Sequence, residues 1–231
     1  MDVLKGMYER AVNDYNDRHF DQAMDLYRKI IKAAPGFAPA YNGMALANQA
    51  ASGDENKTIE YLKTAVSLDP KLAQAYDNLG RIYYDRQDID HAQEYFEKAL
   101  AVDGSLTSAS LSLAWIYLLA RSKPDVALKY FKMVLPHIQD PKIYYGMGLA
   151  YFSSNQRVRA MDMITKLYQL GQDDLAGRLE KSMRDNSYVN TPTDISASNP
   201  SSTPAGLGPL PATPDKPTGM EVRLRGKLSD Y

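Results

Sequence analysis

At 231 residues, 44% of them apolar, the chain can bury a sizeable core, and 27 basic against 28 acidic residues leave a net charge of −1. That balance excludes a global field that would gather nucleic acid. The absence of cysteine excludes disulfides, thiolate metal sites and cysteine nucleophiles, and no apolar run reaches the ~20 residues of a membrane-spanning helix.

Small residues recur at Ala11, Ala45, Gly80, Ala114 and Gly148, in steps of 34, 35, 34 and 34 residues. A second series, Ala23, Thr58, Ala92, Ala127 and Ala160, steps by 35, 34, 35 and 33. Two series in phase at one period mean a repeat protein, in which each supersecondary unit stacks on its neighbours. Such an array is a surface for holding other molecules.

In chain order, MDVLKGMYERAVNDY reads as an amphipathic helix, not a signal peptide. Pro35, Pro70 and Gly104 close the first three units, and Gly171 closes the fifth. The third unit is the clearest. Ala73, Tyr76, Leu79, Gly80 and Tyr83 line one helical face, Arg86-Gln87-Asp88 breaks it, and Ile89, Ala92, Phe96, Ala99 and Leu100 line a second. The small residues are expected where the two helices of a pair cross closely. Ser122-Lys123-Pro124 and Asp140-Pro141 are helix starts with proline at the first position. After Gly171, acids at the start, bases at the end and the stripe Leu175, Leu179, Met183 read as a capping helix. From about Asn186 the sequence is rich in Pro, Ser, Thr and Gly and is expected to be a disordered linker. Near the C-terminus, MEVRLRGKL alternates apolar and basic residues as a short extended docking motif would.

These residues resemble the tetratricopeptide repeat family. Tyr76, Leu79-Gly80, Tyr83, Ala92, Phe96 and Ala99 fall where its pattern places them. So do Leu113-Ala114, Tyr117, Ala127 and Phe131, and Tyr144, Met147-Gly148, Tyr151 and Ala160. The second repeat is looser, with Tyr41, Ala45, Tyr61 and Ala65, and in the first Arg10 and Asp14 stand where Leu and Tyr are expected. The resemblance covers roughly residues 2 to 172. It implies an all-α, right-handed α-solenoid of five helix-turn-helix repeats with a C-terminal capping helix and a disordered tail. The expected organisation is a solenoid over 1–185, a linker over 186–219 and a docking motif over 220–231.

The resemblance also implies that the first helix of each pair lines a concave groove. Helical phase then puts Tyr8, Val12 and Tyr15 of repeat one in it, Asn42, Leu46 and Gln49 of repeat two, and Asp77, Asn78, Arg81 and Tyr84 of repeat three. Repeat four adds Leu111, Trp115 and Leu118, and repeat five Tyr145, Leu149 and Phe152. Aromatic side chains exposed on such a face mark a binding surface, while the alternative is that they pack on the next repeat as core. The family's two-carboxylate clamp for chaperone C-termini is not matched. Its sites carry Tyr8, Val12, Gly43 and Asp77, and only Arg81 fits. His19, His91 and His137 are scattered, without acidic partners at a useful spacing, so no catalytic residue, metal site or cofactor is expected.

The expected function is a non-catalytic scaffold or adaptor holding a partner protein's peptide or helix in the groove. A tail motif of Val222, Arg223, Leu224, Arg225 and Leu228 would contact a second site. The alternative is a structural subunit that self-associates through its ends or by exchanging tails. Neither nucleic acid nor membrane insertion is implied. As given, the chain reads as cytoplasmic, or extracytoplasmic if a leader has been removed.

Overall fold

In the computed structural model, residues 2–185 are described; the expected linker and docking motif lie outside them. Eleven α-helices follow one another: α1 (Asp2–Asn16), α2 (Phe20–Ala33), α3 (Ala38–Ser52), α4 (Glu55–Leu68), α5 (Ala73–Asp85), α6 (Ile89–Val102), α7 (Thr107–Trp115), α8 (Pro124–Val134), α9 (Pro141–Ser153), α10 (Arg157–Gln169) and α11 (Asp173–Arg184). No strand occurs among the described residues. The order is that of five helix-turn-helix repeats plus one further helix, an all-α solenoid fold. α1 to α5 form one compact unit ending at Asp88, and α6 to α11 a second beginning at Ile89.

The turns within the repeats share one device. Arg18, Gly53, Gln87, Ser122 and Asn155 have positive φ, of 50° to 65°, and follow each other by 35, 34, 35 and 33 residues, the period of the small residues. After α1, α5 and α9 the left-handed residue closes the helix with two bonds. Its own N–H donates to the carbonyl three residues back, and the next N–H to the carbonyl five back, as in His19 to Asp14 (2.7 Å), Asp88 to Tyr83 (2.9 Å) and Gln156 to Tyr151 (2.8 Å). Repeat four has one residue more between its small anchors, Ala114 and Ala127, than repeat three has between Gly80 and Ala92. Its first helix absorbs the extra residue as a π-helical turn over Ile116–Ala120, with Arg121 N–H donating to the Ile116 carbonyl.

Within the first unit, Ala11, Ala23, Ala45 and Thr58 are fully enclosed. Thr58 replaces alanine in its series because α3 supplies polar partners. Asn48 Nδ2 donates to its hydroxyl at 3.0 Å, and that hydroxyl reaches the Asp54 carbonyl at 2.9 Å. Tyr27 of α2 packs edge-on to Tyr8, which packs edge-on to Phe37. A methyl at Gly43 on α3 would sit closer than 3 Å to three atoms of the Tyr27 side chain, so glycine there makes room for the ring.

The second unit repeats this fit. A methyl at Gly146 on α9 would lie 2.8 Å from Trp115 and collide with Phe131 of α8. The expected close crossing inside each pair is corrected at Gly148. The atoms a methyl would strike there belong to Leu179 of α11, the following helix, and not to its hairpin partner α10. Leu179 is fully buried, and α11 covers the α9–α10 pair as the stripe of Leu175, Leu179 and Met183 anticipates.

Residues at the end of a first helix also clasp the start of the second helix one repeat earlier. Arg86 binds Glu55 and Asn56, Arg121 binds Asp90 and Gln93, and Ser154 donates to Asp125 at 3.0 Å.

Candidate protein-binding surface

In the first unit the expected residues divide by burial. Tyr8 and Leu46 are 5% and 2% exposed. Their expected accessibility is therefore corrected: Tyr8 lies in the aromatic cluster with Tyr27 and Phe37, and burial pushes its hydroxyl up to about 12. Tyr15 is corrected in the same way, 6% exposed and packed against Phe20. Burial raises its pKa, and the Arg81 guanidinium pulls the other way, which places α1 and α5 residues in reach of one field. Val12, Gln49, Arg81 and Tyr84 are half-buried, so each keeps accessible surface. The Thr58 hydroxyl lies 3.1 Å from Gln49 Oε1.

Asn42 and Asn78 meet directly, Asn78 Nδ2 donating to Asn42 Oδ1 at 2.9 Å. They hold corresponding places on α3 and α5 of adjacent repeats. An amide has two donors and one two-lone-pair acceptor. Both side chains are buried, at 5% and 7% exposure, and the bond leaves Asn42 Nδ2 and Asn78 Oδ1 with hydrogen-bonding capacity unused. Asp77 stands beside Asn78 at 6% exposure.

The second unit treats its expected residues differently. Leu118, Tyr145, Leu149 and Phe152 are 5% to 8% exposed, within the core of this unit. Trp115 and Leu111 are half-buried at its margin, with Trp115 edge-on to Phe131 at 5.1 Å. The expected exposure of Leu118, Tyr145, Leu149 and Phe152 is thus corrected, because glycines at 146 and 148 bring neighbouring helices close enough to enclose them. Cations cover this aromatic cluster: Arg157 stands over Phe152, Arg159 and Lys132 over Tyr151, and Arg178 over Tyr145.

Sequence phase missed the apolar side chains that do face solvent. Val158 and Met161 on α10 are 75% and 60% exposed, with Tyr168 on the same helix and Met133 on α8 also open. Val158, Met161 and Tyr168 are spaced to share a helical face, a signal available from the sequence. Among the described residues no three His, Cys, Asp or Glu side chains gather as a metal site requires. The docking residues Val222, Arg223, Leu224, Arg225 and Leu228 lie outside the described residues.

The hairpin order, the twin small-residue series and the left-handed turns at one period are the marks of a single repeat type, and the family model for the tetratricopeptide repeat matches residues 73–105. Residues 73–105 are a tetratricopeptide repeat. Its fold is similar to that of YrrB, a tetratricopeptide protein with an unusual peptide-binding site, at TM-score 0.62 and 18% identity over 76% of this chain and 90% of that one. Among curated relatives, the heat-shock cognate co-chaperone sgt12 of Aspergillus fumigatus is 32% identical over 88 residues, 38% of this chain and 26% of the relative. The mitochondrial import receptor subunit TOM70 of Rattus norvegicus is 28% identical over 127 residues, 54% of this chain and 20% of the relative. The chain thus spans about a quarter or less of these two relatives. Among its described residues, no helix is long and apolar enough to cross a membrane.

Proposed function

We propose that this protein is a non-catalytic, cytoplasmic adaptor. The face formed by α1, α3 and α5 holds an extended peptide from a partner protein. The observation that carries this reading is the Asn42–Asn78 bond, a buried amide pair that spans adjacent repeats and keeps one donor-bearing nitrogen and one acceptor oxygen unused. Val12, Gln49, Arg81 and Tyr84 around it offer partly accessible apolar and polar surface. A main chain read by amides and side chains read by surrounding pockets is how extended peptides are held. A co-chaperone and an import receptor among the relatives agree with a role in holding other proteins. The carboxylate clamp is not the means, because Gly43, at one of its sites, is filled by the Tyr27 ring.

The test is selection of peptides from a displayed random library on the full-length protein, then titration against Asn42→Ala/Asn78→Ala and Tyr84→Ala variants. Binding is expected to weaken at least tenfold in each. Selected peptides that bind all three proteins equally would overturn the reading.

A second reading, a structural subunit that self-associates, is favoured by the open apolar residues of α10, since exposed patches of this kind serve as interfaces. Sedimentation of Val158→Glu/Met161→Glu against the parent decides it, and an unchanged mass distribution sets it aside.

A further inference from the structure

The segment 220–228, MEVRLRGKL, carries Arg223, Arg225 and Lys227 against the single acid Glu221. Residues 1–88 have the opposite balance, 11 basic against 13 acidic. On the face described above, Asp77 is 6% exposed, and a guanidinium that reached an acid so enclosed would bind more strongly than on an open surface. The amide pair of Asn42 and Asn78 suits an extended main chain, and 222–225 alternates with the period of one. One edge of such a strand carries Arg223 and Arg225, and the other Val222 and Leu224.

We propose that this segment is the protein's own ligand: it occupies the α1/α3/α5 face and must leave before a partner peptide binds. Its main chain bonds to Asn42 and Asn78, its arginines face Asp77, and Val222 and Leu224 lie toward Val12 and Tyr15. A coil of the 36 residues 186–221 spans about 33 Å, and a tether of that length supplies an effective concentration of order 1 mM. At that concentration a segment of modest affinity keeps the face mostly filled. Partners would then be basic, apolar and extended, and would bind through competition. The inference rests on the reading of this face as a peptide groove.

The test uses the full-length protein and a fluorescent peptide of residues 220–231. Arg223→Glu/Arg225→Glu disables the tethered copy. That variant is expected to bind the peptide at least tenfold more tightly than the parent, and adding Asn42→Ala/Asp77→Asn is expected to abolish the gain. Should the combined variant lose its helical circular dichroism, Tyr84→Ala replaces the groove pair. Equal binding by parent and tail variant would overturn the inference, as would a gain that survives the groove substitutions. A library-selected peptide serves as second probe on the same proteins. If it needs the groove while the 220–231 peptide binds nowhere, the tail inference falls and the groove reading stands. If neither peptide is sensitive to the groove, both fall.

Discussion

Gly43→Ala should destabilise the protein even though alanine is the better helix former. Replacing glycine inside a helix ordinarily gains up to about 1 kcal/mol. At Gly43 the new methyl would lie closer than 3 Å to three atoms of Tyr27, whose side chain is fully buried with Tyr8 edge-on to it. The ring has nowhere to go, and overpacking of this kind costs about 1–3 kcal/mol. The net is a loss of about 1–2 kcal/mol, or roughly 3–6 °C in Tm for a protein of this size. Gly6→Ala on α1 and Gly177→Ala on α11 are the controls, since a methyl there meets nothing within 4 Å. They should stabilise by up to about 1 kcal/mol. Combining Gly43→Ala with Tyr27→Leu should cost at least about 1 kcal/mol less than the sum of the single changes. The assay is urea denaturation followed by circular dichroism for the four glycine and tyrosine variants and the double. A Gly43→Ala protein as stable as Gly6→Ala, with additive behaviour toward Tyr27→Leu, would refute the reasoning.

The left-handed turn positions give a second set of outcomes. Gln87→Gly and Arg18→Gly should each stabilise by roughly 0.5–1 kcal/mol, because a side chain costs about 1–2 kcal/mol there and the extra freedom of glycine in the unfolded chain offsets part of the gain; thermal melts read the shift, and a fall in Tm would contradict it. Tyr8 and Tyr117 are held near pKa 12 against an ordinary 10, both chiefly by burial and Tyr117 also by donating to Glu97 at 2.8 Å. A raised phenol contributes stability that is complete below pH 10 and lost as pH climbs through 12. Ultraviolet titration of Tyr8→Phe against the parent should lose an ionisation step near 12 and none near 10, and the reverse would sink the assignment.

The repeat period, the anchors Ala11 to Gly148, the proline-led starts at Pro124 and Pro141 and the covering role of α11 are all readable in sequence, because each depends on local spacing. The ring-to-glycine fits are not. Tyr27 and Gly43 belong to different repeats, and neither side chain advertises the other until the positions are aligned. The register that holds Gly43 and Gly146 holds Asn78 in repeat three, and the register that holds Tyr27 and Phe131 holds Leu62 in the repeat before it. Helical phase finds the rows of the binding face but not their depth. Leu149 and Phe152 share that phase with Arg81, yet the second unit's glycines draw its helices together and enclose them. The π-helical turn was half-legible: thirteen residues separate the anchors in both repeats two and four, and only repeat four bulges.

Because the Tyr27 and Phe131 rings are each fitted to a glycine of the next repeat, the units are not interchangeable beads. Excising whole repeats so that α2 runs on to α9 sets Tyr27 against Gly146, a residue already shaped for an aromatic neighbour. Joining α2 to α5 instead confronts the same ring with Asn78, which has a side chain where Gly43 has none. At these two junctions the order of modules is therefore written into the fit, whereas the junctions that carry Asn78 and Ser112 in the same register follow no such rule.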